Sequence, residues 1–170
     1  MSGINRSNIL ENIYKFFPVF LLFISVLNEI DFNHLGLKYF SFNFSYILIF
    51  FYSLRKSGSL GYGLIFIAGL FNDVVIGMPI GLSSLIYLIL CGAASYLRKI
   101  TLKPNLFKDW IFFLMTILTL NSLSFLILTF IFNYEINYID QIINIIFTFI
   151  FYLGFSYLFN SFEKILLGRY

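Results

Sequence analysis

The sequence predicts an all-α, polytopic membrane protein: a single bundle of six transmembrane helices filling residues 1–170, with both termini cytoplasmic. Three observations predict it. The chain is 60% hydrophobic and only 11% charged, with a mean hydropathy of +0.91, whereas a water-soluble domain carries about 25% charged residues. Apolar runs near the ~20 residues that cross a bilayer recur at 12–31, 37–54, 60–76, 80–98, 108–132 and 138–160. Counted as alternating crossings, these runs leave Arg6, Lys15, Arg55, Lys56, Arg98, Lys99, Lys103, Lys108, Lys164 and Arg169 on one side and Lys38 alone on the other. An excess of Lys and Arg in short loops marks the cytoplasm. Glu29, Asp31, Asp73, Glu135 and Asp140 fall towards the opposite face.

The first run has Pro18 in its opening turns, where a missing amide costs little. No small-residue cleavage site follows it, so it reads as a retained span rather than a leader. The second run ends at the basic pair Arg55–Lys56. Tyr14, Tyr52, Tyr62, Tyr96 and Trp110 lie near the cytoplasmic ends of the first five runs, where amphipathic rings favour the headgroup zone. Arg98, Lys99, Lys103 and Lys108 make the densest basic loop, suited to anionic lipid or to a cytoplasmic partner.

The third and fourth runs meet at GLFNDVVIGMPIG, residues 69–81, which puts a carboxylate, a proline and three glycines beside an apolar span. Gly77, Pro79 and Gly81 predict the tight turn of a helical hairpin. At ~1.5 Å rise per residue, Asp73 lies ~6 Å inward of Gly77. A carboxylate at that depth needs a partner. It could accept hydrogen bonds from amides of the turn, serve a proton- or ion-coupled site, or belong to a surface for a partner or ligand. Small residues at Gly61, Gly63, Ala68 and Gly69, and at Gly92, Ala93, Ala94 and Ser95, predict close approach of helix backbones.

The sixth run spaces Gln141, Asn144, Thr148 and Tyr152 three, four and four residues apart, on one helical face. The fifth has Asn121 near its middle. Asn121, Gln141, Asn144 and Thr148 therefore predict an inward polar face, serving either as glue between helices or as the lining of a site.

Catalytic chemistry finds little support. His34 is the single histidine and Cys91 the single cysteine, so no disulfide and no Cys/His metal cluster can form within the chain. No phosphate-cradling glycine loop and no metalloprotease helix motif is present. Catalytic residues, metal, cofactor and nucleic acid are not expected, and a membrane enzyme acting on lipid-linked precursors would have Asp73 as its only deep carboxylate.

The stretch YSLRKSGSLGYG followed by GLFNDVVIGMPIGLSSLIYLIL resembles the MreD family of rod-shape-determining proteins. The residues that carry the resemblance are Gly69, Leu70, Asp73, Gly77, Pro79, Gly81 and Leu82, with Ile80 where the family usually has leucine. The resemblance implies a non-enzymatic component of the cell-wall elongation complex in the bacterial inner membrane. Implied partners are an MreC-like scaffold protein and, through it, an actin-like filament protein, a polysaccharide polymerase and a class B transpeptidase. It also implies a fold similar to the substrate-binding components of energy-coupling-factor vitamin transporters. Such a transporter subunit is the alternative function. The bulky first span, FFPVFLLFISVL, weighs against it, because those subunits dock through small residues spaced i, i+4 on that span.

Overall fold

The computed structural model describes residues 16–26, 41–55, 60–101, 105–134 and 137–167. Among these residues the protein is all-helical, with six helices and no strand: α1 (Phe16–Val26), α2 (Phe44–Arg55), α3 (Tyr62–Ile76), α4 (Leu82–Ile100), α5 (Leu106–Phe130) and α6 (Tyr138–Leu167). Arg6, Tyr14, Lys15, Glu29, Asp31, His34, Lys38, Lys56, Lys103, Glu135 and Arg169 lie outside the described residues.

Helix bounds differ from the apolar runs in an informative way. Residues 41–43 and 60–61 are non-helical, so α2 and α3 start later than hydropathy suggests. The run at 80–98 becomes a helix at Leu82–Ile100, because Ile80 and Gly81 belong to the turn. Continuation of α6 to Leu167 carries it well beyond position 160.

Two helices are long and apolar enough to cross a membrane: Leu106–Phe130, with mean hydropathy 2.2, and Tyr138–Phe162, with 2.0. Only 28% and 22% of their apolar windows is buried, which associates the chain with a membrane, since the core helix of a soluble protein would be mostly covered. By contrast, α2 has 12 residues and α3 has 15, or about 18 and 22 Å of rise, against a ~30 Å hydrocarbon core.

The short α2 is the centre of the molecule. Ser45 to Leu54 are all buried, the signature of a helix surrounded by protein. It packs against α4 and α6, largely through aromatic rings. Tyr46 meets Tyr87 edge-on at 5.9 Å, and Phe50 is 5.0 Å from Phe113 and 5.7 Å from Tyr152. Such ring pairs add roughly 0.5–1.5 kcal/mol each beyond their buried area. Tyr52, expected at the headgroup zone, is instead buried 5.5 Å from Phe159. Trp110 also differs from expectation: its indole N–H donates to the Phe149 carbonyl at 2.9 Å, and the two rings stack at 4.3 Å. It clasps α5 to α6. Tyr62 and Tyr96 remain exposed.

Small residues divide into two groups. Ala68 and Ala94 are fully buried, and Gly69 lies against the backbone of Ser84. A Cβ at Gly63 or Gly92 would meet nothing within 4 Å, so these two glycines mark no close approach. Cys91 is buried and accepts a hydrogen bond from the Ser53 hydroxyl at 3.2 Å.

Candidate functional site

The hairpin head is built from the residues that the motif singled out. Helix α3 ends at Gly77, whose φ of 75° and ψ of 27° are left-handed, and its N–H donates to the Asp73 carbonyl. The Met78 N–H donates to the same carbonyl at 2.9 Å, so one backbone oxygen closes the helix. Pro79 then offers its carbonyl to the Leu82 N–H at 3.2 Å. Gly81, with φ 101°, is the N-cap of α4 and has no side chain to cap it.

Asp73 supplies that cap from the other helix. Its Oδ2 accepts from the Gly81 N–H at 2.7 Å and its Oδ1 from the Ser83 N–H at 2.9 Å. The first amides of a helix have no intrahelical partner and form the positive end of its dipole. One buried carboxylate therefore satisfies two orphan donors and is itself stabilised by α4. Beside it, the Asn72 side-chain amide donates to the Ser83 hydroxyl at 3.0 Å. One turn deeper, the Ser84 hydroxyl donates to the Phe66 carbonyl at 2.9 Å. Tyr134, just past α5, donates its hydroxyl to the Gly77 carbonyl at 3.1 Å and ties the turn to the rest of the bundle.

This arrangement changes what the turn offers a partner. Asp73 is fully buried with both oxygens engaged, whereas Ile80 at the tip is 77% exposed. The tip shows an apolar side chain, and the charge is inside. A Gly81→Ala substitution meets no atom within 4 Å yet must adopt φ 101°, which costs an L-residue about 1–2 kcal/mol. The thermal midpoint of unfolding should fall accordingly, and an unchanged midpoint would show that the turn relaxes without cost.

Beside the hairpin head lies a polar cavity of about 410 Å³. Asn121, Gln141 and Asn144 all line it, so the structure brings these three predicted residues together. Thr148 stands behind them and is buried; it accepts from the Asn43 N–H at 2.8 Å and donates to Asn144 Oδ1 at 3.4 Å. The Gln141 amide donates to the Asn121 carbonyl at 3.3 Å, and the Asn144 amide to the Ser41 hydroxyl at 2.7 Å. Asn43, Asn72 and Ser124 also line the cavity, and the sequence reading did not select them as site residues. Asn43 carried a usable signal, since a capping residue type interrupts the run at 37–54 just before FSYILIFF, and its Oδ1 accepts from the Tyr46 N–H at 3.1 Å as a helix cap does.

The opposite end of the bundle is basic. Arg55, Arg98 and the buried Asp109 line a second cavity of about 210 Å³. Arg98 donates to the Ser53 carbonyl at 2.8 Å, near the C-terminus of α2, and Arg55 stands 5.4 Å over the Phe51 ring. Among the described residues, every Lys and Arg (Arg55, Arg98, Lys99, Lys108 and Lys164) belongs to a helix segment at this end, away from the turn. Among the described residues no cluster of three His, Cys, Asp or Glu could hold a metal ion. Comparison of the chain with protein-family models, with curated proteins and with solved structures finds no match.

Proposed function

We propose that the chain is a multi-pass protein of the bacterial inner membrane and a non-enzymatic component of the cell-wall elongation complex of the MreD kind, which binds an MreC-like scaffold and helps maintain cell shape. The observation that carries this reading is the hairpin head. Gly69, Asp73, Gly77, Pro79 and Gly81, on which the resemblance rests, form one closed unit: a close helix crossing, a cap in trans, a left-handed stop and a turn. That unit presents Ile80 outward on a rigid support. A protein with short loops meets its partners within or at the surface of the bilayer, and an apolar tip on a fixed hairpin suits a transmembrane or juxtamembrane segment of the scaffold.

Segregation of the described cations to one end supports six crossings with that end cytoplasmic. The short α2 is compatible with this, because it is enclosed by neighbours and its length is not set by the thickness of the bilayer. Single cysteines test the topology. In intact cells a membrane-impermeant thiol reagent should label Tyr138→Cys and should reach Lys108→Cys only after lysis; the reverse pattern refutes the orientation.

Co-purification of the scaffold protein from the same genome tests the partner. Ile80→Asp leaves every hydrogen bond of the turn in place, and it should abolish recovery of the scaffold while the protein still inserts normally. Undiminished recovery removes the turn from the interface. The transporter alternative draws support from the polar cavity. Against it, the outward stripe of α1 is bulky, with Phe16, Phe20 and Ile24 exposed where close helix docking needs small residues. A vitamin bound in the purified protein would reverse the order of the two readings.

A further inference from the structure

We propose that the polar cavity beside the hairpin head binds a small, uncharged, hydroxyl-rich molecule of monosaccharide size, either free or as the headgroup of a glycolipid. Its volume of about 410 Å³ lies in the lower part of the ~300–1,000 Å³ range of small-molecule sites.

The lining is dominated by neutral hydrogen-bonding groups. Asn43, Asn72, Asn121, Asn137, Gln141 and Asn144 contribute six carboxamides. In several of them one end of the amide holds the framework while the other makes no hydrogen bond among the described residues. Asn43 accepts through Oδ1 from Tyr46, Asn72 donates to Ser83, Asn121 donates to the Ile117 carbonyl and Gln141 donates to the Asn121 carbonyl. These bonds fix the side chains, so little rotamer freedom remains to be lost when a ligand docks. Ser124 lines the cavity with a hydroxyl that makes no hydrogen bond among the described residues.

Charge decides the class. Among the described residues no Lys, Arg or His lines this cavity, and the carboxylate among them that faces an arriving ligand is Asp140, because Asp73 is buried and engaged behind Ser83. Among these lining residues a phosphate or carboxylate would find no counter-charge and would meet a like charge. A single exposed carboxylate at the margin repays little of the cost of stripping water from a cation. Fixed amides and hydroxyls lose little against water only when a ligand returns their hydrogen bonds, as a sugar does and a hydrocarbon does not. Tyr46 and Tyr87, buried edge-on against each other at 5.9 Å, close the cavity wall.

The proposal is independent of the wall-elongation reading, since failure of scaffold recovery leaves it untouched and its own failure leaves the scaffold untouched. The test uses the full chain in phosphatidylcholine nanodiscs, because a maltoside detergent would itself compete. Equilibrium dialysis with labelled glucose and N-acetylglucosamine should give saturable binding of at least one of them, and glucose 6-phosphate should bind at least about tenfold more weakly than glucose. Nanodiscs that also contain monoglucosyl diacylglycerol form the second arm. A rise in thermal midpoint there, without binding of free sugar, assigns the site to a lipid headgroup. Ser124→Leu fills the cavity and removes no hydrogen bond, so affinity in the arm that binds should fall about tenfold or more while the midpoint without ligand is kept. The proposal is overturned if neither sugar nor glycolipid binds, if the phosphate binds as well as glucose, or if Ser124→Leu binds unchanged.

Discussion

Replacing Asp73 with alanine is expected to cost about 3–6 kcal/mol, because two hydrogen bonds to a charged acceptor contribute roughly 1.5–3 kcal/mol each. The loss arises at the start of α4, where the half-buried Gly81 amide and the buried Ser83 amide are left without their acceptor. Set against a typical total of ~5–15 kcal/mol, this is a large fraction of the stability of a domain. Asp73→Asn keeps one acceptor oxygen and loses the charge, so it should fall between alanine and the parent protein. Thermal unfolding in a fixed detergent, followed by circular dichroism, measures the series. Equal midpoints for all three proteins would mean that the cap is not what holds the hairpin. The same series separates this role from ion coupling, since a structural carboxylate shifts stability and a coupling carboxylate shifts transport.

Gly69→Ala is the second large effect. The added Cβ would stand 2.4 Å from Ser84 Cα and 2.5 Å from its backbone nitrogen. Those atoms cannot turn aside as a side chain does, so α3 and α4 must move apart along their contact. Overpacking of this kind costs roughly 1–3 kcal/mol and sometimes more. Separation would also stretch the bond from the Ser84 hydroxyl to the Phe66 carbonyl and strain the Asp73 cap one turn away. Two controls make the prediction sharp. Gly63→Ala on the same helix meets nothing within 4 Å and should be neutral or stabilising, since alanine is favoured over glycine in a helix by about 0.8–1.0 kcal/mol. The double variant Gly69→Ala/Ser84→Gly should stay destabilised, because the nearest atoms are backbone. Full rescue by Ser84→Gly would show that only the hydroxyl was in the way.

Four further residues indicate which features were legible before folding and which were not. Gly77 announced its turn through local chemistry alone, because only the residues around it decide whether a left-handed stop is needed. Gln141 and Asn144 announced a shared face through spacing, and they do line one cavity. Tyr52 misled, since a tyrosine near the end of an apolar run has the same sequence signature whether its ring lies at a headgroup or inside an aromatic cluster.

The sequence by itself determined that the described residues build helices and no strand, where the chain turns between α3 and α4, which face of α6 is polar, and at which end the described cations gather. All of these follow from periodicity and composition within one or two helical turns. Only the tertiary structure decided that α2 is enclosed on every side, that the Asp73 carboxylate belongs to the amides of α4, and that Asn43, Asn72 and Asn121, from the segment before α2, from α3 and from α5, meet around one space. The physical reason is that an apolar side chain is satisfied equally by lipid and by a neighbouring helix. Hydropathy therefore leaves neighbours unassigned, whereas a buried polar atom must find a partner and fixes one.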